Sequence, residues 1–194
     1  MPTVCSRHSR VLDVGCGAGQ TLIASGLARS AFSVGIDVDV SALTMGRQLD
    51  AHFVAVCAEG EALPFKDESF DLVMSRVAVP YMHIQSALGQ MFRVLKKSGD
   101  LWIVLHPFSE TYKELIVSLR RMEIKASIYR LYVIANGVTA HVIGKELRWP
   151  LAGGRYESFQ TSGGMNRFLR RAGFRDIVVS NQEFFVVTAR KDRE

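Results

Sequence analysis

Short apolar runs alternate with amphipathic stretches through the first half of the chain. "SRVLDVG", "FSVGIDVD", "HFVAVCAE", "FDLVMSRV" and "DLWIVLH" have strand length and are bounded by polar or glycine residues. Between them, "QTLIASGLARS", "SALTMGRQLDA" and "IQSALGQMFRVLKKSG" space their apolar residues as helices do, and Gly99 is expected to close the third of these. Strands that alternate with helices pair in parallel through crossovers, which predicts a layered α/β sheet. The rhythm changes near the C-terminus. "MNRFLRRAGF" predicts a helix ending at Gly173, and "RDIVVSN" with "QEFFVVTARK" predicts an antiparallel hairpin turning at "SNQ". Residues 107–160 fit neither rhythm and read as an insertion: one helix around Tyr112 to Leu131, then glycine-interrupted apolar sequence.

Composition bounds the class. A chain of 194 residues, 48% hydrophobic and 22% charged, suits one domain with a sizeable core and excludes a largely disordered protein. No run approaches the ~20 apolar residues of a spanning helix, and no apolar signal core opens the chain, so no membrane span and a cytoplasmic location are expected. Cys5, Cys16 and Cys57 are odd in number and far apart, which predicts plain buried or half-buried thiols and no metal site. The net charge of +5 is uneven. Residues 1–106 hold 9 Lys and Arg against 10 Asp and Glu, whereas residues 107–194 hold 15 against 9. That excess reads either as solvated helix faces or as an electropositive rim for an anionic partner.

The chemistry concentrates in "VLDVGCGAGQ". A strand ending at Asp13, then Gly15, Gly17 and Gly19, then a helix gathers free backbone N–H groups around one point and removes the Cβ atoms that would hold a ligand away. Asp37 ends the next strand, 20 residues after Gly17, where an acid meets the hydroxyls of a ribose. A dinucleotide fingerprint needs its third glycine where Gln20 stands, and an acid at Asp13 suits an ammonium group better than a pyrophosphate. These residues point to a nucleoside at the carboxyl edge of a parallel sheet.

"VLDVGCGAG" resembles the first motif of the class I S-adenosylmethionine-dependent methyltransferases, and "GIDVD" resembles their next acidic strand end. "AEGEALPFKDESFDLV" (Ala58 to Val73), "RVLKKSGDLWI" (Arg93 to Ile103) and "LRRAGFRDIVV" are similar to further motifs in order. The small-molecule enzymes of ubiquinone and menaquinone biosynthesis are the nearest subgroup. The resemblance implies a Rossmann-like mixed seven-stranded sheet with helices on both faces and the last strand antiparallel. Length and rhythm together suit a single domain over 1–194, with a helical insertion after the fifth strand at 107–160.

The resemblance also implies a cofactor, S-adenosylmethionine, released as S-adenosylhomocysteine. Gly15, Gly17 and Gly19 would pass under its methionine and ribose, and Asp13 would hold its amino group. Asp37 would take the ribose hydroxyls, and Val38 would lie against the adenine. Glu59, where the family often has Asp, would accept from the adenine amino group, and Gly60 would offer an N–H to the ring. Ser75 and Arg76 follow the fourth strand, where the family's chain passes the sulfonium and opens to substrate.

Methyl transfer from a sulfonium asks chiefly for alignment, so no catalytic residue is assigned. Arg76, Tyr81, His83, His106 and Tyr112 are the substrate-side candidates, with His106 the best placed base and His83 expected to be an ordinary surface histidine. "AVPY" lacks the Asn or Asp and the paired prolines of nucleic-acid amino methyltransferases, so the expected partner is a small-molecule acceptor and not nucleic acid. The alternatives are an RNA or other macromolecular acceptor, suggested by the basic second half, and a cofactor-binding protein without transferase activity. Only nine residues precede the first strand, fewer than the family carries, so residues 107–160 with Trp149, Tyr156 and Phe159 are expected to cover the acceptor pocket.

Overall fold

Five strands lie parallel: β1 (Arg10–Val14), β2 (Phe32–Asp37), β3 (Val54–Cys57), β4 (Phe70–Arg76) and β5 (Leu95–Leu105). A computed structural model describes residues 8–30, 32–105, 108–149, 156–181 and 184–192. β6 (Arg175–Ser180) and β7 (Phe185–Arg190) complete a seven-stranded sheet of order β3-β2-β1-β4-β5-β7-β6. β7 runs antiparallel to both neighbours, so the C-terminal hairpin forms as its alternating pattern predicts. The strand order reverses between β1 and β4, and such a reversal opens a crevice at the carboxyl ends of the strands.

Helices cover both faces. α1 (Gln20–Ala24), α2 (Leu27–Ser30) and α3 (Val40–Leu49) follow β1 and β2, and α4 (Ile84–Val94) precedes β5. α5 (Phe108–Arg120) and α6 (Ile124–Val142) form the insertion, and α7 (Ser162–Ala172) leads into β6. Alternation along the strands splits the core in two. Leu12, Val14, Val34 and Ile36 pack with Leu88 and Met91 of α4 and Phe168 of α7. Val11, Leu72 and Met74 pack on the other face with Leu22, Leu27 and Leu43.

Three elements differ from expectation. Gly26 takes φ 73° and breaks "QTLIASGLARS" into α1 and α2. Gly99 does not close a helix: α4 stops at Val94, because Leu95 turns extended, is fully buried and pairs with Phe70. The insertion holds two helices, not one. α5 and α6 are separated at residues 121–123, where Met122 takes φ 55°, and α6 continues to Val142. Gly173, at φ 102°, ends α7 as predicted.

Candidate functional site

The glycine turn rests on two supports. Gly15 N–H and Cys16 N–H both donate to Ile36 O at 2.9 Å, which ties the end of β1 to the end of β2. Behind the turn stands Phe53. Its ring lies where a Cβ on Gly19, Gly35 or Gly46 would fall, at 2.6 to 2.8 Å, so one aromatic side chain fills the space three glycines vacate. Gly17 differs from its companions. It takes φ 54°, and a Cβ there would meet nothing closer than Gln20 Oε1 at 3.8 Å, so its bare face looks into open space.

Asp37 is held by that same turn. Gly17 N–H donates to its Oδ2 at 2.8 Å and Asp39 N–H to its Oδ1 at 3.0 Å, which fixes the carboxylate at the mouth of the crevice. Asp39 in turn caps α3, accepting from Ser41 N–H and Ala42 N–H. Below lies Asp13, 1% exposed, with neither oxygen hydrogen-bonded. Burial, reinforced by the charge of Asp37 and opposed by Arg76, pushes its carboxyl up to about 7. A buried carboxylate without a partner is costly. Ser75, fully buried in β4, also has an unpartnered hydroxyl. Burial raises the Cys16 thiol well above its ordinary range, so it is inert, whereas Cys57 is exposed at the end of β3, against expectation. Cys5 lies outside the described residues.

A cavity of about 970 Å³ opens at this edge. Gly15, Gly17, Asp37, Val38, Glu59 and Gly60 line it, together with Arg76, Val77, Ala78, Tyr81 and Met82. Asp13, Gly19 and Ser75 do not line it: Gly19 is filled from behind by Phe53, and the other two are buried in their strands. Gly15 and Gly60 are packing positions, since a Cβ would strike Ala78 in one case and Met82 Sδ in the other. Val77, a β-branched residue at φ 64°, carries backbone strain beside the cavity and is held by its N–H on Val104 O at 2.8 Å.

The far rim comes from the insertion. Arg148 and Tyr156 line the cavity, and the Tyr156 ring meets His83 at 5.4 Å between centroids. His83 caps α4, its Nδ1 accepting from Ser86 N–H, so it is structural. Two carboxylates receive the amides that begin this helix. Glu61 accepts from His83 N–H at 2.8 Å, and Glu146 accepts from Ile84 N–H at 2.7 Å. Burial, with Glu61 adding repulsion, pushes the Glu146 carboxyl up to about 8. Trp149 packs on Tyr129 and Tyr132, and Phe159 on Phe108, so both build the insertion from within and not the cavity wall. Tyr112 is exposed beside Phe108 and does not line the cavity; His106 lies outside the described residues. Among the described residues no cluster of His, Cys, Asp or Glu is arranged to hold a metal. Sequence reasoning missed Phe53, Val77, Met82, Glu61, Glu146 and Arg148; Glu61, inside "AEGEALPFKDESFDLV", and Val77 and Met82, on either side of "AVPY", carried a positional signal.

A family described as "Methyltransferase domain" matches residues 12–103. The chain is 37% identical over 95 residues to the uncharacterised methyltransferase YodH of Bacillus subtilis, covering 47% of this chain and 40% of that one. It is 35% identical over 118 residues to the ubiquinone/menaquinone biosynthesis C-methyltransferase UbiE of Neisseria meningitidis, covering 56% and 46%. The human mitochondrial arginine-hydroxylase NDUFAF5 is 28% identical over 178 residues, covering 90% of this chain and 44% of that protein. The chain therefore spans less than half the length of each of these relatives. The solved structure of an S-adenosylmethionine-dependent methyltransferase from Methanosarcina mazei shares the fold, with a TM-score of 0.65 over 98% of this chain and 95% of that one at 17% identity.

Proposed function

We propose that this chain, which carries a class I S-adenosylmethionine-dependent methyltransferase domain, binds S-adenosylmethionine at the β1–β4 edge and transfers its methyl group to a small-molecule acceptor. Asp13 carries this reading. A carboxylate buried near the end of β1, two residues before the glycine turn, with both oxygens unpartnered, is explained by an ammonium ligand that pairs with it. The other residues fit the same molecule. Asp37, already oriented by two backbone amides, would accept from the ribose diol. Gly17, with no side chain, leaves room for the sugar and methionine to pass. Val38 and Glu59 would border the adenine, with Gly60 buried behind them. Gly15 and Gly19 act by shaping the turn, and Ser75 by its place at the end of β4.

When bound, S-adenosylmethionine supplies a methyl group on a sulfonium whose sulfur leaves neutral on in-line attack. This chain's residues therefore need to align two molecules and exclude water, and alignment alone is worth on the order of 7–11 kcal/mol. Arg76, Tyr81, Arg148 and Tyr156 form the acceptor side of the cavity. Within this reading the chain is one domain, and residues 107–160 are its acceptor cap. The Arg76 guanidinium at the cavity wall favours an acceptor bearing an acidic group, and the likeness to UbiE favours a small molecule.

A second reading, a domain that binds the same cofactor for other chemistry, is favoured by the 90% coverage against a protein named as an arginine-hydroxylase. One experiment separates them. The chain is incubated with methyl-labelled S-adenosylmethionine and a metabolite extract, and products are read by mass spectrometry. Labelled methylene gain with release of S-adenosylhomocysteine supports transfer. Oxygen gain without label, or no S-adenosylhomocysteine, overturns it.

A further inference from the structure

α6 is apolar on both sides. Its inner face buries Val133, Asn136, Gly137 and Ala140, with the Phe159 ring against Gly137. On its outer face Ile124, Ile128, Leu131, Ala135, Val138 and Val142 follow one another at spacings of four and three residues, so they form one stripe along 19 residues, and all six are exposed. Single exposed apolar side chains are ordinary, but a continuous stripe is not. The stripe ends at the turn between α5 and α6, where Met122 is 85% and Ile124 73% exposed.

The charges around this stripe select its occupant. Arg120, Arg121 and Lys125 flank the turn, all exposed, and none makes an ion pair among the described residues. Glu123 is the one acid between Arg120 and Lys145. A second copy of the same stripe would bring cation against cation with almost no acid in reply. An anionic lipid surface answers both features at once, taking the stripe into the acyl boundary and the cations against its headgroups. Among the described residues no helix is long and apolar enough to cross a membrane, so α6 would lie in the plane of the bilayer and not span it.

We infer that the outer face of α6, with the cationic turn that precedes it, docks this protein on an anionic lipid bilayer. Tyr132 Oη donates to Leu147 O at 2.6 Å, so the docking helix is tied to the segment that brings Arg148 to the cavity rim.

Sedimentation with vesicles tests this independently of any methyl transfer. The probes are phosphatidylcholine vesicles with and without phosphatidylglycerol. The protein should pellet with the phosphatidylglycerol vesicles, less in high salt, and much less with phosphatidylcholine alone. Ile128→Glu/Leu131→Glu should weaken partition by about tenfold or more while leaving the thermal unfolding midpoint in place, because both side chains are exposed. Arg120→Gln/Arg121→Gln should weaken it by about fivefold per charge removed. Absence of vesicle binding by the folded protein overturns the inference, as does equal binding to neutral vesicles. A vesicle-free dimer lost in Ile128→Glu/Leu131→Glu overturns it in favour of a second copy.

Discussion

At the β1–β4 edge each part of the site leans on a near neighbour: Gly17 and Asp39 amides on Asp37, and Gly19, Gly35 and Gly46 on the Phe53 ring. The inserted pair α5–α6 is built differently. One side of α6 is packed, the other is apolar and open, and its links to the cavity run through a few side chains such as Glu146 and Tyr156. The edge is assembled from backbone geometry that few residues can reproduce. The insertion is assembled from side-chain contacts that allow many, and such a segment can vary in sequence while the edge stays the same.

The sharpest way to break this contrast is to empty the support behind the glycines. Phe53→Ala should cost about 3–5 kcal/mol in urea unfolding. Ile128→Ala, on the outer face of α6, should stay within about 0.5 kcal/mol. Comparable losses at the two sites would erase the distinction. Next in size is Asp37→Ala, which should weaken S-adenosylhomocysteine binding by about 1–3 kcal/mol in calorimetry. Arg148→Gln should leave that affinity within about twofold and instead raise KM for whichever acceptor the isotope experiment identifies.

Asp13 sharpens the contrast from another side, because the edge should sacrifice stability for binding. Its carboxyl stands at about 7 in the fold against 3.8 ordinarily. Between those values the folded chain holds a proton the unfolded chain has lost, so stability falls as pH rises from about 4 to about 7 and stays lower above. Asp13→Asn removes that loss. In the ligand-free protein it should raise the melting temperature by roughly 2–8 °C, or about 1–2 kcal/mol, at pH 8, and by nothing at pH 4. Glu146→Gln should act with the same sign, displaced toward its value of about 8. The smallest effect concerns the insertion. Protease cleavage within residues 107–160 should slow a few-fold when S-adenosylhomocysteine is present; unchanged cleavage would separate the insertion from the cavity.

The same contrast explains what could be read from the sequence. Gly17 and Asp37 were legible because a strand-end acid 20 residues from a glycine turn is a local rule with a mechanical cause. Phe53 was not, since an aromatic residue entering a strand looks like any core residue until three glycines converge on it. Gly99 misled because a glycine after two lysines has every mark of a helix stop, yet Leu95 is drawn into the sheet by pairing with Phe70. The break between α5 and α6 falls at Met122, which is neither glycine nor proline and carries no stop signal. Arg148 and Glu146 reach the site from more than sixty residues beyond the nearest motif residue they approach, and no spacing rule covers such a distance.

The most direct measurement is calorimetric titration of S-adenosylhomocysteine into the protein and into Asp13→Asn. The first should bind clearly, the second at least about tenfold more weakly, and a nicotinamide dinucleotide should give no heat. Equal affinity in both proteins, or heat with the dinucleotide alone, would contradict the proposed cofactor site.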